Sequence, residues 1–308
     1  MRALQSLAIA CGLVAAMTAS AVHAQFTPRD LMFDSRSAPD LTFPTAITPI
    51  EQAVYPQMML LKPEGEGPFP AVMLGHQCGG LVFNKANPRA ANWSMLQWAK
   101  DFQQAGYVTL LVDFMGPRGA TQVCQGAQAG VTLGRTAKDF FQAAEHLRKL
   151  PYVNPNQVAL VGFSQGALIA FYNNGKRTRE AIGASRGFDA YVSFYPLCRL
   201  QTQSPDRAIV EILQRDIEKP HLMLLGSADT ETPAADCESL GATVKASGRP
   251  LEFHTYAGKT HCWDCKSLNG FTKQGRHGTV TYTYDEETTR DSFERTKTFL
   301  VRSFATGK

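Results

Sequence analysis

The sequence predicts an α/β protein built on a doubly wound, mostly parallel sheet with helices on both faces. Three observations carry that expectation. Short apolar runs such as Val158-Ala159-Leu160-Val161 are uninterrupted and bounded by turn residues, the pattern of a strand buried on both faces of a parallel sheet. Segments with apolar residues at helical spacing follow such runs and stop at glycine, as Trp93 to Ala105 does at Gly106. Runs and helical segments then alternate along the chain, which implies parallel strands joined by crossover helices.

Taken from the N-terminus, residues 1–24 read as a signal peptide. Arg2 supplies the charge, Leu7 to Ala16 the apolar core, and Val22-His23-Ala24 a small-x-small cleavage site before Gln25. A buried N-terminal helix is the alternative. The apolar run is broken by Cys11 and Gly12 and is too short to span a bilayer, and Ala8 stands where a lipobox wants leucine. Residues 25–308 are expected to form one domain, since a 308-residue chain with 44% hydrophobic content can bury one large core. No later segment is apolar enough to span a membrane. A net charge of +4 without basic clusters argues against a nucleic-acid partner.

Residues 25 to 45 form an irregular lead-in. Gln57 to Leu61 reads as an early strand, and the turn formers from Lys62 to Pro68 separate it from a buried strand, Ala71 to Leu74, which runs into Gly75-His76-Gln77-Cys78-Gly79-Gly80. After the helix from Trp93, Val108 to Val112 is another buried strand, ending at Asp113. A long loop, Phe114 to Gly130, precedes a helix from Thr136 to Leu150 with Phe140, Phe141, Ala144 and Leu147 on one face. Pro151 and Pro155 mark the return to the Val158 strand. Beyond Gly175 come strands at Tyr191 to Tyr195, His221 to Leu225 and Leu251 to Tyr256, with a helix from Pro233 to Lys245. Thr279 to Tyr284 suggests a short hairpin or surface strand inserted before a final helix. That helix has Asp285, Glu286 and Glu287 near its start and Arg302 near its end, as the macrodipole favours.

The densest chemical signal is Gly162-Phe163-Ser164-Gln165-Gly166, a G-x-S-x-G motif between strand and helix. Its glycines permit a turn sharp enough to lift the Ser164 hydroxyl above the sheet. A serine hydroxyl needs a base to take its proton and an acid to orient that base. In this architecture both follow the serine, at the carboxyl ends of later strands. Asp229, just after the His221 strand, is the expected acid, with Glu231 as the substitute. His261, after the last strand and Gly258, is the expected base. His254 lies within a strand and reads as a packed or edge residue, and His277 in a polar, Gly-flanked insertion reads as solvated. Donors for a tetrahedral oxyanion are expected from the backbone N–H of Gln165 and of Gln77, with Cys78 next.

The segments GHQCGG (75 to 80), DFMGPRG (113 to 119), GFSQG (162 to 166), FYPLC (194 to 198), LLGSADTETPAADC (224 to 237) and YAGKTHCWD (256 to 264) together resemble the dienelactone hydrolase family of α/β-hydrolases. The resemblance covers nearly all of the chain after residue 24, apart from the insertion that follows Asp264. It implies the α/β-hydrolase fold, no cofactor, and a nucleophile, acid and base at Ser164, Asp229 and His261. Founding members carry a cysteine nucleophile and a glutamate in the oxyanion loop; this chain has Ser164 and His76 at those places. A serine member resembles an ordinary esterase. Arg118, in a loop placed to overhang the site, is a candidate to hold a substrate carboxylate or, alternatively, a salt bridge bracing that loop. Phe163 and Trp263 are candidates to line an acyl pocket, or simply core. His76 completes the substrate-binding candidates.

Six cysteines follow residue 24, and an even number in an exported chain favours disulfides. Cys198 with Cys237 would clamp the acid loop, Cys78 with Cys124 would tie the oxyanion loop to the Arg118 loop, and Cys262 with Cys265 would close a small loop beside the base. A redox-active pair or a zinc site at that C-x-x-C is disfavoured, because the motif does not open a helix after a strand and a second ligand pair is missing. No metal is expected. Asn92-Trp93-Ser94 matches a glycan sequon. The function expected is a periplasmic or secreted serine hydrolase acting on small esters or lactones, with a peptidase or acyltransferase as the runner-up. A non-catalytic disulfide- or metal-binding descendant is the alternative from another class.

Overall fold

A computed structural model describes residues 35–82, 91–201, 209–275 and 278–306; the expected signal peptide and His277 lie outside these residues. In chain order the strands are β1 (Met59–Leu61), β2 (Phe69–Gly75), β3 (Val108–Val112), β4 (Val153–Phe163), β5 (Ala190–Phe194), β6 (Arg199–Gln201), β7 (Ile209–Glu211), β8 (His221–Gly226), β9 (Leu251–Tyr256), β10 (Thr272–Gly275) and β11 (Gly278–Thr281). The helices are α1 (Trp93–Gln104), α2 (Leu133–Arg148), α3 (Gln165–Asn174), α4 (Lys176–Ile182), α5 (Ala234–Ala246) and α6 (Glu286–Thr306).

Seven strands form the main sheet in the order β1-β3-β2-β4-β5-β8-β9. Every neighbouring pair is parallel except β1, which runs antiparallel to β3 at the edge. Successive residues of a strand point to opposite faces, so each strand feeds two cores. Met73, Leu110, Leu160 and Met223 pack on one side with Phe140 of α2, Phe171 of α3 and Leu240 of α5. Leu74, Leu111, Val161 and Leu224 pack on the other with Trp98 and Phe102 of α1 and Phe299 and Leu300 of α6. The α/β-hydrolase fold expected from the sequence is the one observed.

Differences at element ends have local causes. The early strand is shorter than expected because only Met59 to Leu61 find partners on β3. The α2 helix starts at Leu133, before the expected Thr136, because the Thr132 side chain accepts the Arg135 N–H at 3.0 Å and caps the first turn. The β4 strand starts earlier, at Val153, and its pairing with β2 shifts register between Phe69 and Ala71, around Pro155, which has no N–H to give a ladder. Helix α4 was not expected: among its residues only Thr178 is buried, so it has no apolar periodicity to read. The pair β6–β7 consists of three-residue strands, too short for a pattern. The insertion forms an antiparallel hairpin, β10–β11, with Thr272 opposite Thr281 and Lys273 opposite Val280.

Since β2, β4, β8 and β9 are mutually parallel through the sheet, their carboxyl ends at Gly75, Phe163, Gly226 and Tyr256 lie along one edge. The loops that follow these four strands carry Gln77, Ser164, Asp229 and His261.

Candidate active site

Ser164 joins β4 to α3 with φ 51° and ψ −105°, in the left-handed half of backbone space where a side chain is strained. The surrounding structure holds it there. A Cβ at Gly162 would lie 2.3 Å from the Gly166 carbonyl oxygen, and one at Gly166 would lie 2.1 Å from that of Gly75. Both glycines of the motif are therefore required by contact distance. The Ser164 N–H donates to the Phe194 carbonyl at 3.0 Å, and the Gly166 N–H to that of His76 at 3.1 Å, which ties the turn to the ends of β5 and β2.

The loops after β8 and β9 are joined to each other in the same way. A Cβ at Gly226 would lie 2.4 Å from the Lys259 carbonyl oxygen, and the Ala228 N–H donates to that oxygen at 3.0 Å. This brings Asp229 and His261 together. His261 Nδ1 lies 2.7 Å from Asp229 Oδ2, and His261 Nε2 lies 3.1 Å from Ser164 Oγ. With Asp229 ionised, Nδ1 carries the proton and donates, leaving Nε2 to accept from the serine hydroxyl. Asp229 Oδ1 accepts the N–H groups of Glu231 and Thr232, each at 2.8 Å, and Oδ2 accepts the Thr232 hydroxyl at 2.8 Å. Burial pushes the Asp229 carboxyl up, but the His261 charge and the Thr232 donors outweigh it and hold the carboxyl below its ordinary range. Burial likewise depresses the His261 imidazolium, yet Asp229 and then Glu231 outweigh that and raise it above its ordinary value. Such an arrangement can take a proton from an alcohol and return it to a leaving group.

Among the described residues, the backbone N–H groups of Gln77 and Gln165 have no protein acceptor. Gln165 N opens α3, where the helix dipole favours negative charge. The Gln77 side chain donates to the Tyr195 hydroxyl at 3.1 Å and accepts from Asn92 Nδ2 at 2.6 Å. Tyr195 in turn donates to Asp264 Oδ1 at 2.8 Å, and Trp98 Nε1 donates to Asp264 Oδ2 at 2.7 Å. The Gln77 loop is thereby fixed to the loop that carries His261 through buried polar partners. Disulfides add to this: Cys78–Cys124, Cys198–Cys237 and Cys262–Cys265 are all formed, in the pairing expected. Cys262, Asp264 and Cys265 group three possible metal ligands within 4.8 Å, but both sulfurs are spent in a disulfide and are not thiolates.

The dienelactone hydrolase family profile matches residues 57–304. The chain belongs to the dienelactone hydrolase family. Membership makes it a carboxylic ester hydrolase, and the fold agrees with solved members and esterases. A putative dienelactone hydrolase from Klebsiella pneumoniae superposes with a TM-score of 0.58 at 15% identity, over 79% of this chain and 91% of that one. Esterase 2 of Thermogutta terrifontis, phosphonylated by cyclosarin, gives 0.56 at 14% identity, over 80% and 88%. An α/β hydrolase from a Medee basin deep-sea metagenome library gives 0.55 at 14%, over 77% and 85%. Sequence comparison with the curated proteins finds no match.

Four side chains expected near a substrate in this dienelactone hydrolase family member do other work. Arg118 is a correction: its guanidinium pairs with both oxygens of Asp139 at 2.6 and 2.9 Å and donates to the carbonyls of Phe114 and Pro39, so it braces its loop. Phe163 stacks on Phe194 and Trp263 meets Tyr195 edge-on; both are fully buried core residues. His76 is buried, stacked on Phe114 at 3.9 Å with Nε2 3.8 Å from Asp113 Oδ1, and faces away from solvent. Glu231 is not a substitute for Asp229: it approaches the other ring nitrogen, with Oε2 3.9 Å from His261 Nε2. Asn92 of the sequon is buried and donates to Gln77 and Gly80, which leaves no place for a glycan.

Sequence reasoning missed Thr232, Tyr195, Asp264, Lys273 and Tyr282. The Tyr195 and Asp264 positions lay inside quoted segments, but nothing in their spacing announces that two buried polar groups 69 residues apart will meet. Lys273 and Tyr282 are brought to Glu231 by hairpin pairing, at 2.8 and 2.7 Å.

Proposed function

We propose that the protein is an exported serine hydrolase that cleaves carboxylic esters or lactones through an acyl-enzyme on Ser164. The observation that carries this reading is the chain of contacts Ser164 Oγ to His261 Nε2 at 3.1 Å and His261 Nδ1 to Asp229 at 2.7 Å, set on a turn that strains the serine. In the first half-reaction His261 Nε2 takes the hydroxyl proton as Ser164 Oγ attacks the substrate carbonyl. The N–H groups of Gln77 and Gln165 stabilise the oxyanion, each worth about 3 kcal/mol of transition-state binding. His261 then gives the proton to the departing alcohol, and water repeats the sequence on the acyl-enzyme. Asp229 keeps the imidazole in the tautomer that this requires and stabilises its charged form.

Export is supported by the signal-like residues 1–24 and by three disulfides that engage all six later cysteines. Among the described residues no helix is long and apolar enough to cross a membrane. The Thermogutta esterase has been solved with butyrate and with propionate bound, so short-chain p-nitrophenyl esters are the first substrates to try. A fluorophosphonate probe tests the nucleophile. Stoichiometric labelling at Ser164, lost in His261→Ala, is expected; ester cleavage that survives Ser164→Ala would reject the assignment.

A further inference from the structure

We infer that Glu231 is a positioning residue that shares the deacylating water with His261, and that Lys273 and Tyr282 of the inserted hairpin hold it in place. The inference rests on the acyl-enzyme reading above. His261 has two ring nitrogens and a carboxylate near each. Asp229 bonds Nδ1 directly, whereas Glu231 Oε2 stands 3.9 Å from Nε2, the nitrogen that must take the proton from water. That distance is too long for a direct hydrogen bond and within the span that one water bridges with normal bonds to both atoms.

Two donors hold the carboxylate, and a third contact holds its backbone. Tyr282 Oη donates to Oε2 at 2.7 Å, Lys273 Nζ donates to Oε1 at 2.8 Å, and the Glu231 N–H donates to Asp229 Oδ1 at 2.8 Å. The hairpin that supplies Lys273 and Tyr282 is itself anchored, because Thr230 Oγ1 donates to the Thr279 carbonyl at 3.0 Å and Val280 is buried. A carboxylate offers about four lone-pair sites, so Oε2 keeps acceptor capacity after Tyr282. Its side chain is 20% exposed, against 1% for Asp229, so it reaches the solvent side of the imidazole.

The step balances without further reagents. The water oxygen bonds to the acyl carbon while one of its protons passes to His261 Nε2 and the other donates to Glu231, which takes no proton. The tetrahedral intermediate then breaks its bond to Ser164 Oγ, His261 returns the proton to that oxygen, and the carboxylic acid leaves. Methanol separates this role from a merely structural one. It has one O–H proton, which His261 takes, and none left for Glu231.

The experiment measures the partition of the acetyl-enzyme between water and methanol, as the ratio of methyl acetate to acetate formed from p-nitrophenyl acetate. Glu231→Gln should raise that ratio about tenfold, the worth of an ordinary hydrogen bond to a charged acceptor, with Ser164 still labelled by the fluorophosphonate. Tyr282→Phe, which leaves the carboxylate but removes one brace, should raise it by a smaller factor. An unchanged ratio in both variants, or equal slowing of methanolysis and hydrolysis, overturns the inference while Ser164 still labels. Absence of labelling in the wild-type protein overturns the acyl-enzyme reading, and this inference with it.

Discussion

Asp229 and Glu231 stand two residues apart on one loop, and both face His261, yet the fold treats them differently. Asp229 is buried and accepts from two backbone N–H groups, a hydroxyl and the imidazole, all supplied by the loops at the carboxyl edge of the sheet. Glu231 is partly exposed, and its side-chain partners come from β10 and the residue after β11, outside the main sheet. The first carboxylate belongs to the α/β-hydrolase scaffold; the second depends on an appended hairpin. On the proposed acyl-enzyme reading, proton transfer is built into the sheet edge, while whatever happens at the outer side of the imidazole can be altered by changing an insertion.

The contrast is broken most sharply by charge removal at each position. Asp229→Asn should cost about 10⁴-fold in kcat, because an amide favours the wrong imidazole tautomer and leaves Nε2 protonated. Glu231→Gln should cost about tenfold, since only one hydrogen bond to a charged acceptor is lost. Steady-state kinetics on p-nitrophenyl acetate gives both values; equal losses would mean that the two carboxylates act as one unit. Next in size is the scaffold side. Gly166→Ala places a methyl 2.1 Å from the Gly75 carbonyl oxygen, both backbone atoms of packed elements. The turn must move, with about a 10²-fold loss of activity from a shift of the order of 1 Å. Thermal unfolding should show about 1–3 kcal/mol of destabilisation from overpacking. The same change at exposed Gly248, where a Cβ meets nothing within 4 Å, should leave activity intact and cost only its left-handed φ of 79°.

The two regions also differ in how far they can be read from sequence. Strand β4, the Ser164 turn and α3 are legible because apolar run, glycine spacing and helical periodicity are local signals. Asp229 and His261 follow from strand order, since parallel strands bring their carboxyl ends to one edge. In sequence Arg118 fits a substrate carboxylate or a salt bridge, and what decides between them is Asp139, on the following helix and fully buried. Phe163 sits beside Ser164, and immediate neighbours at a strand end point in opposite directions, so it turns into the core; Trp263, two residues beyond His261, is buried by its packing on Phe194, Tyr195 and Tyr256. The partners of Glu231 were illegible for another reason. Lys273 and Tyr282 reach it only through the register of a polar hairpin, and polar alternation fixes register weakly.

The smallest effects lie in the pH profile, where the two carboxylates should be distinguishable by size, and Glu231 from Lys273 by sign. His261 must be neutral at Nε2 to act as base, and its folded pKa lies above the ordinary value of 6.5. Activity should therefore fall as pH drops through a midpoint above 6.5, at higher pH than for a free imidazole. For stability the sign runs the other way: a raised pKa stabilises the folded chain through the charged imidazole, fully below 6.5, and this contribution is lost as pH rises through the folded value. Burial opposes the shift, and Asp229 contributes more to overcoming it than Glu231 does, while Lys273 lowers it. Glu231→Gln should accordingly move the acid limb of kcat/KM toward lower pH. Lys273→Met should move it toward higher pH, provided that Tyr282 still holds the Glu231 carboxylate at Oε2. If both variants moved the limb in the same direction, the charge of Glu231 would not be felt at Nε2, and the hairpin would bear on the site through shape alone.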